Sequence, residues 1–297
     1  MKVLMITGDK SFKPGHPRFT LQSRAVEKLE VIYWGRGSVW PRIPAGHFDV
    51  ITAQDPFWRG LVGWLISRRL GAKFNVQVHA DLASVTAVKH ILSQIVLRHA
   101  DSVRVVSEKI KQQVVAAGTQ TPIRVLPVFV EADKFRGVQR REHVAKNILW
   151  IGRFEEEKDP LLAVEVLQEI RTADVDVCLI MLGKGSLEAT LRHAAEGLPI
   201  EFPGWQDPIA YLARADVVVN TSPYESYGAS IVEALAAGVP VVAPDVGIAK
   251  EAGAIVAPRN ELARATIEVL KSGAQGKLQL PVLTEEEWIQ KWQESLS

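Results

Sequence analysis

The chain has 297 residues, of which 47% are hydrophobic and 7% aromatic, and its net charge is +1. This length and composition predict a soluble protein of two domains. The single cysteine, Cys178, lies in an apolar run, which excludes an intrachain disulfide and predicts a buried residue in a reducing compartment. No apolar stretch reaches the roughly 18 residues that span a bilayer. The apolar run at the start of the sequence is too short for the apolar centre of a signal peptide. We therefore predict a cytoplasmic protein.

The near-zero net charge conceals an uneven distribution along the chain. Residues 1–140 carry 21 Lys and Arg against 10 Asp and Glu, or +11, whereas residues 141–297 carry 14 against 24, or −10. A basic first domain suits an anionic partner, such as a membrane surface or a phosphorylated acceptor. Two unlike surfaces that attract each other across a cleft are the alternative. Because no motif for nucleic acid is present, we do not predict nucleic-acid binding.

The first half alternates apolar runs with helical stretches. Helices are predicted around 58–71, 84–99 and 107–117, between the strand candidates KVLMIT, EVIYWG, FDVITA, FNVQVHA, SVRVVS and IRVLPV. The segment LPVFVEADKFRGVQRREH then has the character of a connection. We expect a first domain at 1–137, completed by a terminal helix at 285–297 that Thr284 caps.

The second half repeats the alternation more regularly. The near-continuous apolar runs KNILWIG, VDVCLIML, IEFPG, DVVVN and VPVVAP are separated by amphipathic segments. Such runs are typical of parallel strands that are covered by helices on both faces. They predict a doubly wound α/β domain at 138–284, whose ligand would bind at the carboxyl ends of the strands.

Two turns at those strand ends carry candidate binding residues. In the turn RFEEEKDP, Arg153 and Lys158 could neutralise a phosphate, or the glutamates at 155–157 could pair with them instead. In MLGKGSLEA, Gly183 opens a helix after a strand, where either a bound ligand or a tight turn would favour glycine.

The stretch PYESYGASIVEALAAG carries two carboxylates around the start of a helix. Glu225 falls in the loop before the helix and Glu233 about five residues inside it. They would lie roughly 8 Å or more apart along the axis, which suits the two ends of one elongated ligand. A phosphate could bind between them at the first-turn amides and the positive end of the helix dipole. Those amides belong to Tyr227, Gly228, Ala229 and Ser230.

The segments IGRFEEEKDPLLAVEVL, MLGKGSLEATL and PGWQDPIAYLARADVVVNTSPYESYGASIVEALAAGVPVVAPDVG, with VQVHADL and VRVVSEKIKQQV, resemble glycosyltransferase family 4. The resemblance implies the α/β class and a GT-B fold, in which two doubly wound Rossmann-like domains face each other across a cleft. It also implies a retaining, metal-independent, hexosyltransferase-type enzyme of glycan biosynthesis. Such an enzyme moves a sugar from a nucleotide diphosphate donor to a lipid, glycan or other hydroxyl acceptor, and needs no cofactor.

The resemblance also assigns roles to individual residues. In the E-x7-E motif, Glu225 would hold the donor sugar and Glu233 the ribose, while Arg153 and Lys158 would clasp the diphosphate. His79 in QVHADL would approach the transferred sugar. The predicted catalytic residues are His79, Arg153, Lys158 and Glu225. The predicted donor contacts are Gly152, Gly183, Tyr227, Gly228, Ala229, Ser230 and Glu233.

The sequence leaves several alternatives open. Family members often carry a glycine pair after the first strand, whereas this chain has TGDKSFKPGHPRF, so a contact between the loop at 7–19 and the donor is undecided. Other functions on the same fold are a nucleotide-sugar epimerase, a sugar phosphorylase and a non-catalytic binding module.

Peripheral membrane association through the basic first domain is a further hypothesis. Tryptophan and arginine suit an anionic lipid surface, although most of the tryptophans could belong to the core instead. The residues concerned are Trp34, Arg36, Trp40, Arg42, Trp58, Arg59, Trp64, Arg68 and Arg69.

Overall fold

The computed structural model describes residues 1–35, 39–139, 141 and 145–297, so Arg36 of the membrane hypothesis lies outside the described residues. The chain divides into two compact units, one formed by Met1–Phe129 with Leu283–Ser297 and the other by Val130–Val282. The division falls after Phe129 rather than after residue 137. The reason is a short helix, α5 (Ala132–Arg136), which packs against helix α9 (Ala229–Ala236) of the second unit.

Unit 1 is built on a six-stranded parallel sheet with the order β2-β1-β3-β4-β5-β6. Its strands are β1 (Lys2–Thr7), β2 (Lys28–Tyr33), β3 (Val50–Ala53), β4 (Lys73–Val78), β5 (Ser102–Val105) and β6 (Ile123–Val125). Its helices are α1 (Pro17–Arg24), α2 (Trp58–Leu70), α3 (Ala87–Arg98), α4 (Glu108–Ala116) and α12 (Glu285–Glu294). The predicted helices at 58–71, 84–99 and 107–117 are confirmed to within a few residues at their ends.

The terminal helix α12 completes the core of unit 1. Thr284 and Glu287 form a reciprocal capping box, with the Glu287 carboxylate accepting from the Thr284 amide at 2.9 Å. Trp288 and Trp292 are buried in a cluster with the strands, and the indole of Trp288 donates to the Pro127 carbonyl at 2.8 Å. The N-cap that the sequence predicts is therefore confirmed, and the helix is fixed by apolar burial.

A chain of buried polar groups crosses the same sheet. The Gln77 side chain donates to Thr52 at 3.0 Å and accepts from Arg104 at 2.8 Å, while Asn75 donates to the Ser295 carbonyl at 2.7 Å. Burial, together with the charge of a neighbouring arginine, lowers the pKa of the Arg104 guanidinium to about 9. With a pKa of about 9 the group remains charged at neutral pH. Carbonyl oxygens and Gln77 accept hydrogen bonds from it, which offsets the cost of its burial.

Unit 2 has a second six-stranded parallel sheet, with the order β12-β11-β10-β7-β8-β9. Its strands are β7 (Lys146–Ile151), β8 (Val177–Leu182), β9 (Ile200–Gly204), β10 (Val217–Val219), β11 (Val241–Ala243) and β12 (Ile255–Val256). Besides α5 and α9, its helices are α6 (Pro160–Thr172), α7 (Glu188–Ala194), α8 (Ile209–Leu212), α10 (Ala249–Ala252) and α11 (Leu262–Ser272). The two parallel sheets confirm the predicted α/β class.

Cys178 on β8 is half-buried rather than buried, and this burial with the nearby Glu201 carboxylate raises the pKa of its thiol. Among the described helices, none combines the length and the apolar character needed to cross a lipid bilayer.

The packing of α12 gives a stability prediction. Replacing the fully buried Trp292 with alanine would leave a cavity in the core of unit 1 and should cost about 3–5 kcal/mol of unfolding free energy. Urea denaturation of the full chain, followed by circular dichroism, measures this loss.

The matched control for this prediction is Trp40→Ala, because the Trp40 side chain is 52% exposed. It should change stability by less than about 0.5 kcal/mol. Equal effects of the two substitutions would contradict the assigned packing of the terminal helix.

Candidate active site

A pocket of about 380 Å³ lies at the carboxyl ends of β7, β8 and β9 and at the start of α9, all in unit 2. This is the edge at which parallel α/β sheets bind ligands, and it is the edge that the sequence predicts. The predicted residues that line the pocket are Gly152, Arg153, Lys158, Glu225, Gly228, Ala229, Ser230 and Glu233.

The carboxylate of Glu225 is buried and has two partners. Its Oε1 accepts from the Lys158 ammonium group, in an ion pair, and from the Ser222 hydroxyl at 2.9 Å. The neighbouring glutamates therefore do not neutralise Lys158. One of them, Glu155, instead accepts from the Ser186 amide and hydroxyl, at 2.9 and 2.6 Å.

Arg153 differs from Lys158 in both exposure and partner. Its side chain is 65% exposed, and Nη2 lies 2.6 Å from Oε1 of Glu157. This ion pair between a base and a glutamate of the same turn is the alternative to phosphate binding that the sequence left open. Exposed pairs of this kind contribute at most about 1 kcal/mol, so a phosphate entering the pocket could displace Glu157 at little cost.

The start of α9 forms one wall of the pocket. Gly228 has a φ of +100°, in the left-handed region that favours glycine, and its carbonyl accepts from the Ile231 and Val232 amides at 3.0 and 3.4 Å. The amides of Ala229 and Ser230 precede these first intrahelical bonds, and both residues line the pocket. The wall therefore offers backbone donors and the positive end of the helix dipole.

Glu233 lies in the next turn of α9 and is partly desolvated. Burial and the nearby Asp207 carboxylate raise the pKa of Glu233 to about 7, and Lys134 only partly offsets them. The ammonium group of Lys134 lies 3.6 Å from Asp207. The Glu233 carboxyl is thus close to half-protonated at neutral pH.

Two predicted donor contacts, Gly183 and Tyr227, are not among the residues that line the pocket. A Cβ at position 183 would lie 1.9 Å from the Gly152 carbonyl oxygen, so Gly183 is required for two strand ends to approach each other. Burial raises the pKa of Tyr227 to about 12, and its carbonyl accepts from the Ile248 amide at 3.0 Å. Each residue therefore has a packing role, and the donor contacts assigned to both stay predictions.

His79 follows β4 in unit 1. Its Nε2 atom is buried and lacks a hydrogen-bond partner within the described part of the chain, although the residue as a whole is partly exposed. Burial and the charges of Arg104 and Arg18 lower the pKa of His79 to about 3, so the imidazole is neutral. In the loop at 7–19, Arg18 pairs with Asp9 at 2.5 Å.

The sequence reasoning did not single out several residues that line the pocket. Trp205, Gln206 and Pro208 follow β9, and the Trp205 indole is 58% exposed. A tryptophan directly after a short strand, in PGWQDP, is the signal that could have identified this side of the site. The pocket therefore has an aromatic side as well as a charged one.

The described residues include no group of three or more His, Cys, Asp or Glu side chains placed to hold a metal ion. The expectation of metal-independent chemistry stays a prediction, because this arrangement says nothing about a metal that a substrate could bring.

Two family models match the chain in succession. Residues 7–134 match the model described as Glycosyltransferase Family 4, and residues 145–272 match the one described as Glycosyl transferases group 1. The matches cover most of both units. They agree with the resemblance that the sequence motifs carry.

Two curated relatives are similar over much of this chain. The GDP-mannose-dependent alpha-(1-6)-phosphatidylinositol dimannoside mannosyltransferase of Mycobacterium tuberculosis is 28% identical over 256 residues, which cover 79% of this chain and 61% of the relative. The D-inositol 3-phosphate glycosyltransferase of Mycolicibacterium gilvum is 30% identical over 236 residues, which cover 68% of this chain and 52% of the relative. The chain therefore spans between about half and three-fifths of the length of these relatives.

A solved structure agrees in fold. The sucrose-phosphate synthase from Thermosynechococcus elongatus matches with a TM-score of 0.70 at 16% identity, over 100% of this chain and 95% of that one. Given the two parallel sheets, the pocket at the strand ends and the two successive family matches, the chain belongs to glycosyltransferase family 4 and has the GT-B fold.

Proposed function

We propose that this chain is a retaining, metal-independent glycosyltransferase that takes its sugar from a nucleotide diphosphate donor. The observation that carries the proposal is the convergence of Arg153, Lys158, Glu225, Glu233 and the amino end of α9 on one pocket. Two cations and a helix start suit a diphosphate, whereas two carboxylates that accept hydrogen bonds suit hydroxyl-rich groups on either side of it.

In this arrangement the donor spans the pocket from Glu225 to Glu233. Glu225 accepts hydrogen bonds from the sugar hydroxyls and Glu233 from those of the ribose. The diphosphate lies between them, at the amides of Ala229 and Ser230. Lys158 forms an ion pair with the buried Glu225 carboxylate. When the donor binds, the Lys158 ammonium group also attracts the diphosphate.

The reaction transfers the anomeric carbon from the diphosphate to the acceptor. The acceptor hydroxyl oxygen forms the new bond as the bond to the diphosphate oxygen breaks. The diphosphate leaves with the electron pair, and one of its oxygens takes the proton of the acceptor hydroxyl. Arg153, Lys158 and the helix amides stabilise the negative charge that develops on it. His79, neutral because of its low pKa, approaches the transferred sugar as a hydrogen-bonding group and not as a cation.

The acceptor is a hydroxyl compound that is lipid-linked or anionic. The named relatives support this class, since one is a phosphatidylinositol dimannoside mannosyltransferase and the other an inositol 3-phosphate glycosyltransferase. The excess of positive charge in residues 1–140 is also consistent with a phosphate-bearing acceptor. The enzyme in this proposal is cytoplasmic and peripheral to a membrane.

The exposed indole of Trp205 supplies a flat surface for the nucleotide base. It lines the pocket next to Gln206 and Pro208. Stacking of a base on an aromatic side chain contributes about 1–3 kcal/mol per base in single-stranded nucleic acid complexes and depends little on base identity.

Nucleotide release from a panel of UDP-, GDP- and ADP-sugars, with and without lipid and glycan acceptors, tests the proposal. One donor should be turned over, and Lys158→Met should lower the rate by about 100- to 1,000-fold, because the leaving diphosphate loses a stabilising charge. Lys271→Met, on the exposed side of α11, is the matched control and should retain the wild-type rate.

Failure of every nucleotide sugar to bind would overturn the proposal, as would wild-type turnover by Glu225→Ala. An epimerase would convert the donor without releasing nucleotide, and a binding module would bind it unchanged. Chromatography of the donor after incubation separates these alternatives.

The raised pKa of Glu233 predicts a pH dependence of donor binding. Ribose hydroxyls donate to the ionised carboxylate, so binding must release the proton that the free enzyme holds below about pH 7. The dissociation constant for the donor should therefore fall by up to about tenfold per unit between pH 5 and pH 7 and then level off. Titration calorimetry at several pH values measures it.

Glu233→Gln is the control, and it should bind the donor with little dependence on pH. A second readout is stability. Because the folded-state pKa is raised above the model value of 4.5, the cost of ionising Glu233 is absent below about pH 4.5 and complete above about pH 7. The variant should accordingly melt at a higher temperature than the wild type at pH 8. A pH-independent wild type would exclude the assigned role.

Trp205→Ala should weaken binding of the preferred nucleotide by about 5- to 100-fold, because a stacking surface is lost. Trp205→Phe should restore most of the affinity. Fluorescence titration with the free nucleotide diphosphate measures both, and unchanged affinity in Trp205→Ala would place the base elsewhere.

A further inference from the structure

Helix α3 exposes a row of aliphatic side chains. Val88, Ile91 and Ile95 are 60%, 57% and 41% exposed. Their spacing of three and four residues places them on one face of the helix, while Ser93 and Leu97 are buried on the opposite side. Scattered exposed aliphatic residues are common, but a continuous row along a helix marks an interaction surface.

Helix α2 packs beside α3 and extends this surface. Trp58 and Leu65 are 51% and 42% exposed, at a spacing that places them on the same face of α2. The two helices contact each other, and the ring of Trp64 in α2 stacks on His99 at the end of α3, with centroids 4.1 Å apart. Right-handed connections between successive parallel strands place both helices on one side of the sheet. We call these exposed faces the α2–α3 surface.

The segment that forms this surface is strongly basic. Residues 56–100 contain six Lys and Arg but a single acidic residue, Asp81. The Asp81 carboxylate is occupied within the fold, where it accepts from the Ala83 amide at 2.9 Å and from Gln113 at 2.8 Å. The basic residues that are exposed on α2 and α3 are Arg68, Arg69, Lys89 and Arg98.

We infer that the α2–α3 surface docks onto an anionic lipid bilayer. The aliphatic row and Trp58 would enter the interfacial region, while the long arginine and lysine side chains reach the lipid phosphates. A second copy of the chain fits this surface less well, since a two-fold contact would place the arginines of both copies against each other. A nucleic acid would leave the aliphatic row unused.

The α2–α3 surface differs from the set that the sequence suggested. Trp34 and Trp64 are half-buried, and Arg59 pairs with Asp55. The row on α3 contains no tryptophan or arginine and was not predicted. The inference does not depend on the proposed glycosyltransferase activity.

Cosedimentation of the full chain with vesicles tests the inference. Phosphatidylcholine vesicles that contain phosphatidylglycerol should bind the wild type at low salt. Pure phosphatidylcholine vesicles, or high salt, should release most of it. The triple variant Val88→Ser, Ile91→Ser, Ile95→Ser should bind at least about tenfold more weakly, because less apolar surface is buried in the interface.

Single substitutions give the matched comparison. Ile91→Ser should weaken binding several-fold, whereas Ile255→Ser, at a 39% exposed isoleucine in unit 2, should not. Arg68→Glu with Arg69→Glu should also reduce binding at low salt, by about fivefold or more per residue. Melting temperatures and nucleotide binding of each variant verify that the fold and the pocket are intact.

Three outcomes would overturn the inference. They are an absence of binding to anionic vesicles, equal binding by Ile91→Ser and the wild type, and a concentration-dependent dimer in sedimentation velocity that Ile91→Ser abolishes. The last result would assign the α2–α3 surface to self-association. If nucleotide sugars failed to react while vesicle binding followed the expected pattern, the proposed activity alone would be wrong.

Discussion

The hydroxyl group of Thr221 holds together the two loops that carry the charged groups of the pocket. It accepts from the Trp150 indole at 2.8 Å and lies 3.0 and 2.7 Å from the carbonyl oxygens of Lys158 and Asp159. Arg259 closes the network, since it pairs with the Asp159 carboxylate and donates to the Thr221 carbonyl at 2.9 Å. Contacts within the protein thereby fix the loop after β7, which carries the cations, against the loop after β10. Preorganisation of this kind lowers the entropic cost of binding.

The two carboxylates of the E-x7-E motif lie in different environments. Glu225 is compensated by the protein, through Lys158 and Ser222, so its burial is balanced. Glu233 is desolvated beside the like charge of Asp207, and its pKa rises to about 7 as a result. A ligand with hydroxyl groups at that end would relieve an existing cost. The charge of Glu225 is therefore balanced by partners within the protein. The carboxylate of Glu233 would gain more from hydrogen bonds to a ligand.

The sequence could predict those features that depend on neighbours along the chain. Apolar runs located the strands, and the loop-to-helix context located Glu225 and Glu233 at the sheet edge. Features that depend on distant neighbours could not be predicted. Gly183 is glycine because the carbonyl of Gly152 lies against it, and Arg104 is buried because carbonyls of a later loop accept its hydrogen bonds. Neither contact leaves a periodic signal in the sequence.

The exposed surface of unit 1 suggests a role for the excess of positive charge in the first half of the chain. Arg68, Arg69 and Arg98 are exposed in the full chain, and they border an aliphatic row that is also exposed. If the basic residues only attracted the acidic half of the chain, exposed aliphatic side chains beside them would have no role. An anionic lipid surface binds both basic and aliphatic side chains. In the two proposals the donor pocket lies in unit 2 and the lipid contact on α2 and α3 of unit 1. His79 also belongs to unit 1, but it follows β4 and is not part of the α2–α3 surface. If both proposals hold, substitutions on the α2–α3 surface should alter membrane binding without altering the transfer reaction.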